Sequence, residues 1–319
     1  MLYGASNAAV GHLWMSWFSD VCPAPILGRH AARRSAVFAC VQLVIAISAG
    51  LATQKYTSDS APWAVFAVVF LVASSARFVS SAFLERQYEP QPRPASAPTQ
   101  PYRPSAAMVR FSAAVALLQG AAVMAGPFFT VWFLRDLKFT YLQFALCSAS
   151  TVAGNLMSSP FVGRLVDKHG AARVLRVTGG LAAIVPLPYL WIGAPTSVAL
   201  ANFYSGAAWA GVNVAAFKYL LNASRRDGSR AGLTYANLWL TSSTLVLGLI
   251  GGVLATRLPV VFVWRLQTLF LASSLLRVVI VLGLFRGLAE LDMLETARRA
   301  GPGRFFQLFK WKGPGTTQV

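Results

Sequence analysis

Eight runs of mainly apolar residues, 36–54, 62–84, 108–134, 141–162, 172–194, 197–221, 233–256 and 262–286, follow one another along this chain. Each is near the length of about 20 residues that a helix needs to cross a bilayer. A ninth, shorter run occupies residues 2–18. Backbone inside lipid must satisfy its own hydrogen bonds, and runs this long do so as helices. The expected fold class is therefore all-α: a polytopic membrane helix bundle with about nine transmembrane helices.

Composition agrees. Of the 319 residues, 56% are hydrophobic and only 12% are charged, against about a quarter charged in a soluble domain. The net charge of +18 raises the question of nucleic acid. Basic residues that bind nucleic acid gather on one face of a folded domain. Here they sit in short gaps between apolar runs, so the expected partner is the lipid bilayer and no nucleic acid. Twenty-one of the 28 Lys and Arg fall in alternate gaps and in the tail. The positive-inside rule makes those gaps cytoplasmic. This predicts a multi-pass protein of the cell (inner) membrane with its C-terminus in the cytoplasm. A composition rich in Ala and Arg points to a bacterial source. Cys22, Cys40 and Cys147 are scattered without CxxC spacing, which suggests neither a disulfide framework nor a metal site. No catalytic constellation and no cofactor motif is evident.

Residues 89–104 hold six prolines in sixteen positions. Such a stretch forms an extended linker rather than helix or strand. The expected organisation is a first helix bundle over 1–88, a Pro-rich cytoplasmic linker over 89–107, a six-helix bundle over 108–288 and a basic cytoplasmic tail over 289–319.

The two parts share a repeat. FLVASSARFVSSAFLER at 70–86 aligns without gaps on FLASSLLRVVIVLGLFR at 270–286, with seven identities that include Arg77 and Arg277. Two copies of a six-helix unit joined by a linker is a transporter architecture. At this offset the first copy holds only its last three spans, so three further spans are expected ahead of Met1. A start-site error, a gene fragment and a real truncation all fit that expectation.

Between the second and third spans after the linker lies GRLVDKHG, Gly163–Gly170. It resembles the G-x-L-x-D-[RK]-x-G loop motif of the major facilitator superfamily, at the family's position and on the side that the charges make cytoplasmic. The family continues with two basic residues. Here Ala171 and Ala172 follow, and Arg173 comes after them. Trp14–Arg34 resembles the loop between the fourth and fifth helices of some bacterial members. The resemblance implies a twelve-helix fold, of which this chain carries spans four to twelve.

The two glycines of the motif are expected to let the backbone turn tightly, with Asp167 just before a helix start near its positive end. The resemblance further implies that Gly163, Leu165, Asp167, Lys168, Gly170 and Arg173 form a conformational latch. Its partners are Arg33 and Arg34 at the cytoplasmic start of the fifth helix. The same resemblance implies that the runs 2–18, 108–134 and 197–221 line a substrate cavity. The candidates there are His12, Gln119, Asn202, Trp209 and Asn213. The last three share a helical face with Gly206. That face suits a ligand or a neighbouring helix equally, because Asn and small residues also bind helices together.

Arg77 and Arg277 are intramembrane and costly, about 2.5–3.5 kcal/mol at a span centre, and a structural pairing role is expected for both. His12 is the only histidine inside a span and a candidate carrier for a coupling proton. The function expected is alternating-access transport of a small solute. The alternatives are a truncated, non-transporting fragment and a polytopic membrane enzyme. The enzyme reading needs clustered acids and histidines at a membrane face; the ten acids and three histidines here are dispersed.

Overall fold

The computed structural model describes residues 24–56, 62–86, 103–226 and 231–288. They form eight long helices and no strand: α1 (Ala24–Tyr56), α2 (Pro62–Glu85), α3 (Ala106–Val131), α4 (Tyr141–His169), α5 (Ala171–Ala183), α6 (Pro195–Arg226), α7 (Ala231–Arg257) and α8 (Arg265–Leu284). The apolar run at 2–18 lies outside the described residues.

Helix limits follow local chemistry more than hydropathy. Ser105 caps α3, its hydroxyl accepting from the Met108 N–H at 3.3 Å. Thr140 and Gln143 form a reciprocal capping box at the start of α4. Three expected boundaries are corrected. α1 begins at Ala24, twelve residues before the apolar run that starts at 36. Its Ala, Arg and Ser residues support helix well outside the hydrocarbon. α4 continues through GRLVD to His169, so Gly163 is a helical residue with open space around it and makes no turn. Gly170 alone breaks the chain there, at φ 86°, a region that suits glycine. α5 ends at Ala183 rather than near 194. Pro186 and Pro188 supply no N–H to continue it, and a short 3-10 turn, Pro188–Leu190, follows.

The helices from α3 to α8 pack around one apolar core that includes Met108, Phe111, Trp132, Leu175, Tyr219 and Phe270. Among these six helices the most extensive contacts are α4 with α6 and α3 with α7, followed by α5 with α6 and α3 with α8. Exchanging α3, α4 and α5 for α6, α7 and α8 converts each of these pairs into another of them. Two three-helix units are therefore packed in the same manner, the nested symmetry of transporter bundles.

Glycine makes both leading pairs possible, and it does so reciprocally. A methyl group added at Gly206 of α6 would strike the Thr151 carbonyl of α4, and one at Gly154 of α4 would strike the Phe203 carbonyl of α6. In the second pair, Gly251 of α7 sits on the Met124 carbonyl of α3, while Gly120 of α3 sits on Ser243 of α7. Backbones that approach this closely gain dispersion contacts that lipid cannot supply. α1 makes its main contact with α4, through Gly50 against Ala145 and the Tyr141 carbonyl. α2 turns an apolar, exposed surface outward along its length, as Phe70 and Phe78 show at 71% and 78% exposure.

Gly206→Leu or Gly154→Leu is expected to wedge α4 from α6 and cost about 1–3 kcal/mol. Gly180→Ala, which enters open space, should leave stability unchanged or slightly raised. Thermal unfolding of the purified variants in detergent checks both.

Candidate functional site

The motif occupies the C-terminal end of α4 and its joint with α5, where α6 also approaches. Asp167 lies in the last turn of α4, which corrects its expected place before a helix start. A carboxylate at a helix C-terminus meets the negative end of the dipole, so a nearby cation is needed. Lys218 of α6 supplies it: its ammonium donates to Asp167 Oδ1 at 2.7 Å. The Asp167 side chain remains 76% exposed. Leu165 is half-buried against the core, Lys168 and Arg173 are exposed, and Gly170 is buried at the joint. Ala171 and Ala172, where the motif elsewhere carries cations, are buried at 3% and 0% exposure. Arg33 and Arg34 lie on α1, and their side chains are outside the described residues. Lys218 was not among the residues singled out by sequence. Its signal was a lone cation near the C-terminal end of the otherwise apolar run 197–221.

At the opposite end, the broken end of α5 is held by polar side chains. Pro186 has no N–H for the Ala182 carbonyl. Arg277 of α8 takes that carbonyl instead, Nη1 donating at 3.1 Å, and the Ser274 hydroxyl donates to the next carbonyl, Ala183, at 2.8 Å. The guanidinium also places a positive charge at the negative end of α5. Gln267 of α8 continues the series. Its Nε2 donates to the carbonyls of Tyr189 and Leu190 at 3.3 and 3.1 Å, and its Oε1 accepts from the Trp264 N–H at 3.0 Å. Ser273, one residue from Ser274, donates to the Ala121 carbonyl of α3 at 2.6 Å. α8 thus fastens α5 on both sides of its break and ties both to α3.

The same region holds an aromatic cluster. Phe129 stacks on Phe270 at 4.0 Å and meets Tyr189 edge-on at 4.8 Å, while Trp132 lies edge-on to Phe270 at 5.7 Å. Tyr189 leads from it to α6, its hydroxyl donating to Asn202 Oδ1 at 2.7 Å. Asn202 Nδ2 in turn donates to the Cys147 carbonyl of α4 at 2.9 Å. Both ends of the Asn202 amide are therefore engaged within the bundle.

With that geometry in view, the sequence matches the Major Facilitator Superfamily over residues 1–243. The chain belongs to this superfamily. A search of curated proteins finds no matching relative. Among the described residues, five stretches, Phe66–Glu85, Ala106–Asp136, Ala171–Leu190, Gly232–Arg257 and Arg265–Gly287, are long and apolar enough to span a membrane. Membership and these helices together make the chain a multi-pass membrane protein of a transporter family. α4 and α6 are long but less apolar: both carry Ser, Asn, Thr and Gly along their length and charged residues toward their C-terminal ends.

As for the residues expected to line a superfamily cavity, His12 lies outside the described residues. Gln119 of α3 and Trp209 of α6 are half-buried, and Asn213 of α6 is exposed. Asn202 is parted from Asn213 in role, since Tyr189 and Cys147 occupy it. The two intramembrane arginines also differ. Arg277 is buried at 3% exposure, whereas Arg77 is on the exposed surface of α2.

Arg277→Leu would strip the Ala182 carbonyl of its donor inside the bilayer. An orphaned buried carbonyl costs about 1–3 kcal/mol, and Ser274→Ala should cost a similar amount by the same route. Thermal unfolding should rank both below wild type, with exposed Arg164→Gln unchanged.

Proposed function

We propose that this chain is a secondary carrier that moves a small solute across the cell membrane by alternating access, with its C-terminus in the cytoplasm. In this reading, residues 1–88 and 108–288 belong to two helix bundles that rock against each other. The linker 89–107 joins them inside, and the tail 289–319 follows. Alternating access needs two rigid bodies with a seam that opens at one end while it closes at the other.

The observation that carries the reading is the contact of α1 with α4, helices from either side of the Pro-rich linker. At its outer end it is a close, uncharged fit, Gly50 against Ala145, with Phe66 of α2 edge-on to Tyr141 of α4 at 6.2 Å. At its inner end are the exposed carboxylate of Asp167 and, on α1, Arg33 and Arg34. A charge-assisted bond from those arginines to Asp167 would latch the inner end shut. The polar stripe of α6 beyond Asn202, with Trp209 and Asn213, faces the solute in this reading, together with Gln119 of α3. His12 is the candidate for carrying a coupling proton.

The latch is tested with Arg33→Cys and Asp167→Cys oxidised to a disulfide, in a protein whose native cysteines are replaced. A membrane-impermeant maleimide applied from the cytoplasmic side should label a third substitution, Asn213→Cys, before oxidation. Labelling should fall severalfold after it and return on reduction. Undiminished labelling with the disulfide in place rules the latch out.

A further inference from the structure

We propose that Lys218 competes with the α1 arginines for Asp167, and so biases the carrier toward the state that is shut outside and open inside. This deepens the latch reading and rests on it.

Four observations converge. First, the bond is inter-helical: Lys218 on α6 reaches Asp167 on α4 at 2.7 Å. Second, the positions at which the motif otherwise places its own cations, Ala171 and Ala172, are buried and apolar. A neighbouring helix furnishes a countercharge in their place. Third, the carboxylate is still 76% exposed, so an arginine approaching from α1 meets an open face. Fourth, the pairing coexists with a closed outer seam, where Gly50 lies against Ala145 and the Phe66 and Tyr141 rings meet. A carboxylate parked on Lys218 while the outer seam is shut belongs to the inner-open half of the cycle. Closing the inner end then requires the carboxylate to gain arginine contacts and relax its hold on the lysine.

The position of Lys218 also connects the exchange to the solute. It lies on α6 five residues after Asn213 and nine after Trp209. A rotation or tilt of α6 that follows solute binding moves the ammonium directly. Removing the ammonium lowers the cost of leaving the parked state and raises the share of latched molecules. An exposed ion pair contributes modestly, so the effect expected is a few-fold change.

The experiment measures disulfide formation between Leu27→Cys and His169→Cys, on the inner ends of α1 and α4, with Cys22, Cys40 and Cys147 replaced. Lys218→Gln should raise the oxidation rate about threefold, and Lys218→Glu should raise it further. Lys218→Arg, which keeps the charge, should match the parent, as should Arg164→Gln, which removes an exposed cation about one turn before Asp167. Thermal unfolding of each variant shows that the bundle is intact, and Lys218→Arg guards against loss of packing around the lysine stem. A rate unchanged by Lys218→Gln and Lys218→Glu overturns the competition and leaves the latch standing. An equal rise with Arg164→Gln reduces Lys218 to a general field effect and also overturns it. If the pair forms no disulfide in any background, the inner ends never meet, and the latch falls together with this proposal.

Discussion

Lipid cannot hydrogen-bond to a carbonyl. Each departure from regular helix inside the bundle therefore has to find its partner within the protein. The break after Ala183 shows how this shapes the rest. Two prolines free carbonyls at mid-bundle, and α8 answers with Ser274, Arg277 and Gln267 along one side. A guanidinium that would be expensive in hydrocarbon is held where a helix ends and its dipole is negative. Its Nε is buried without a hydrogen-bond partner among the described residues, so the charge is compensated in part and the α5 end in full. The position of α8, the fixing of Tyr189 and the engagement of Asn202 all follow from that one break.

Close backbone contact is the second device. α4 with α6 and α3 with α7 meet through glycines that leave no room for a methyl group. Contacts of this kind are stiff, because the touching atoms are main chain and cannot change rotamer. Gly50 of α1 meets Ala145 and the Tyr141 carbonyl of α4 in the same manner, so a glycine sets the approach of that pair too.

Much of this was legible in the sequence, for identifiable reasons. Apolar runs of membrane length gave the helices, since desolvation of the backbone admits no other solution. The Gly163–Gly170 motif and the family match point the same way. Helix ends were less legible. The hydropathy of residues 36–54 marks the part of α1 that suits lipid, while helix propensity extends it to Ala24. Gly163 looked like a turn residue, yet a glycine between good helix formers stays helical unless the chain needs φ > 0, which here only Gly170 does. The pairing of Asp167 with Lys218 was invisible because it joins residues 51 apart. The role of Asn202 was equally hidden, since an amide on a small-residue stripe reads alike for a ligand and for a neighbouring helix.

The clamp on α5 has a consequence for how the protein is made. Chains enter the membrane from the N-terminus onward during synthesis. When the segment bearing Arg277 leaves the ribosome, the carbonyls of Ala182 and Ala183 already exist as an unfinished end awaiting donors. The late segment that carries this buried arginine thus arrives to find its counterpart prepared. In the reverse order, an arginine would have to enter hydrocarbon with nothing to receive it.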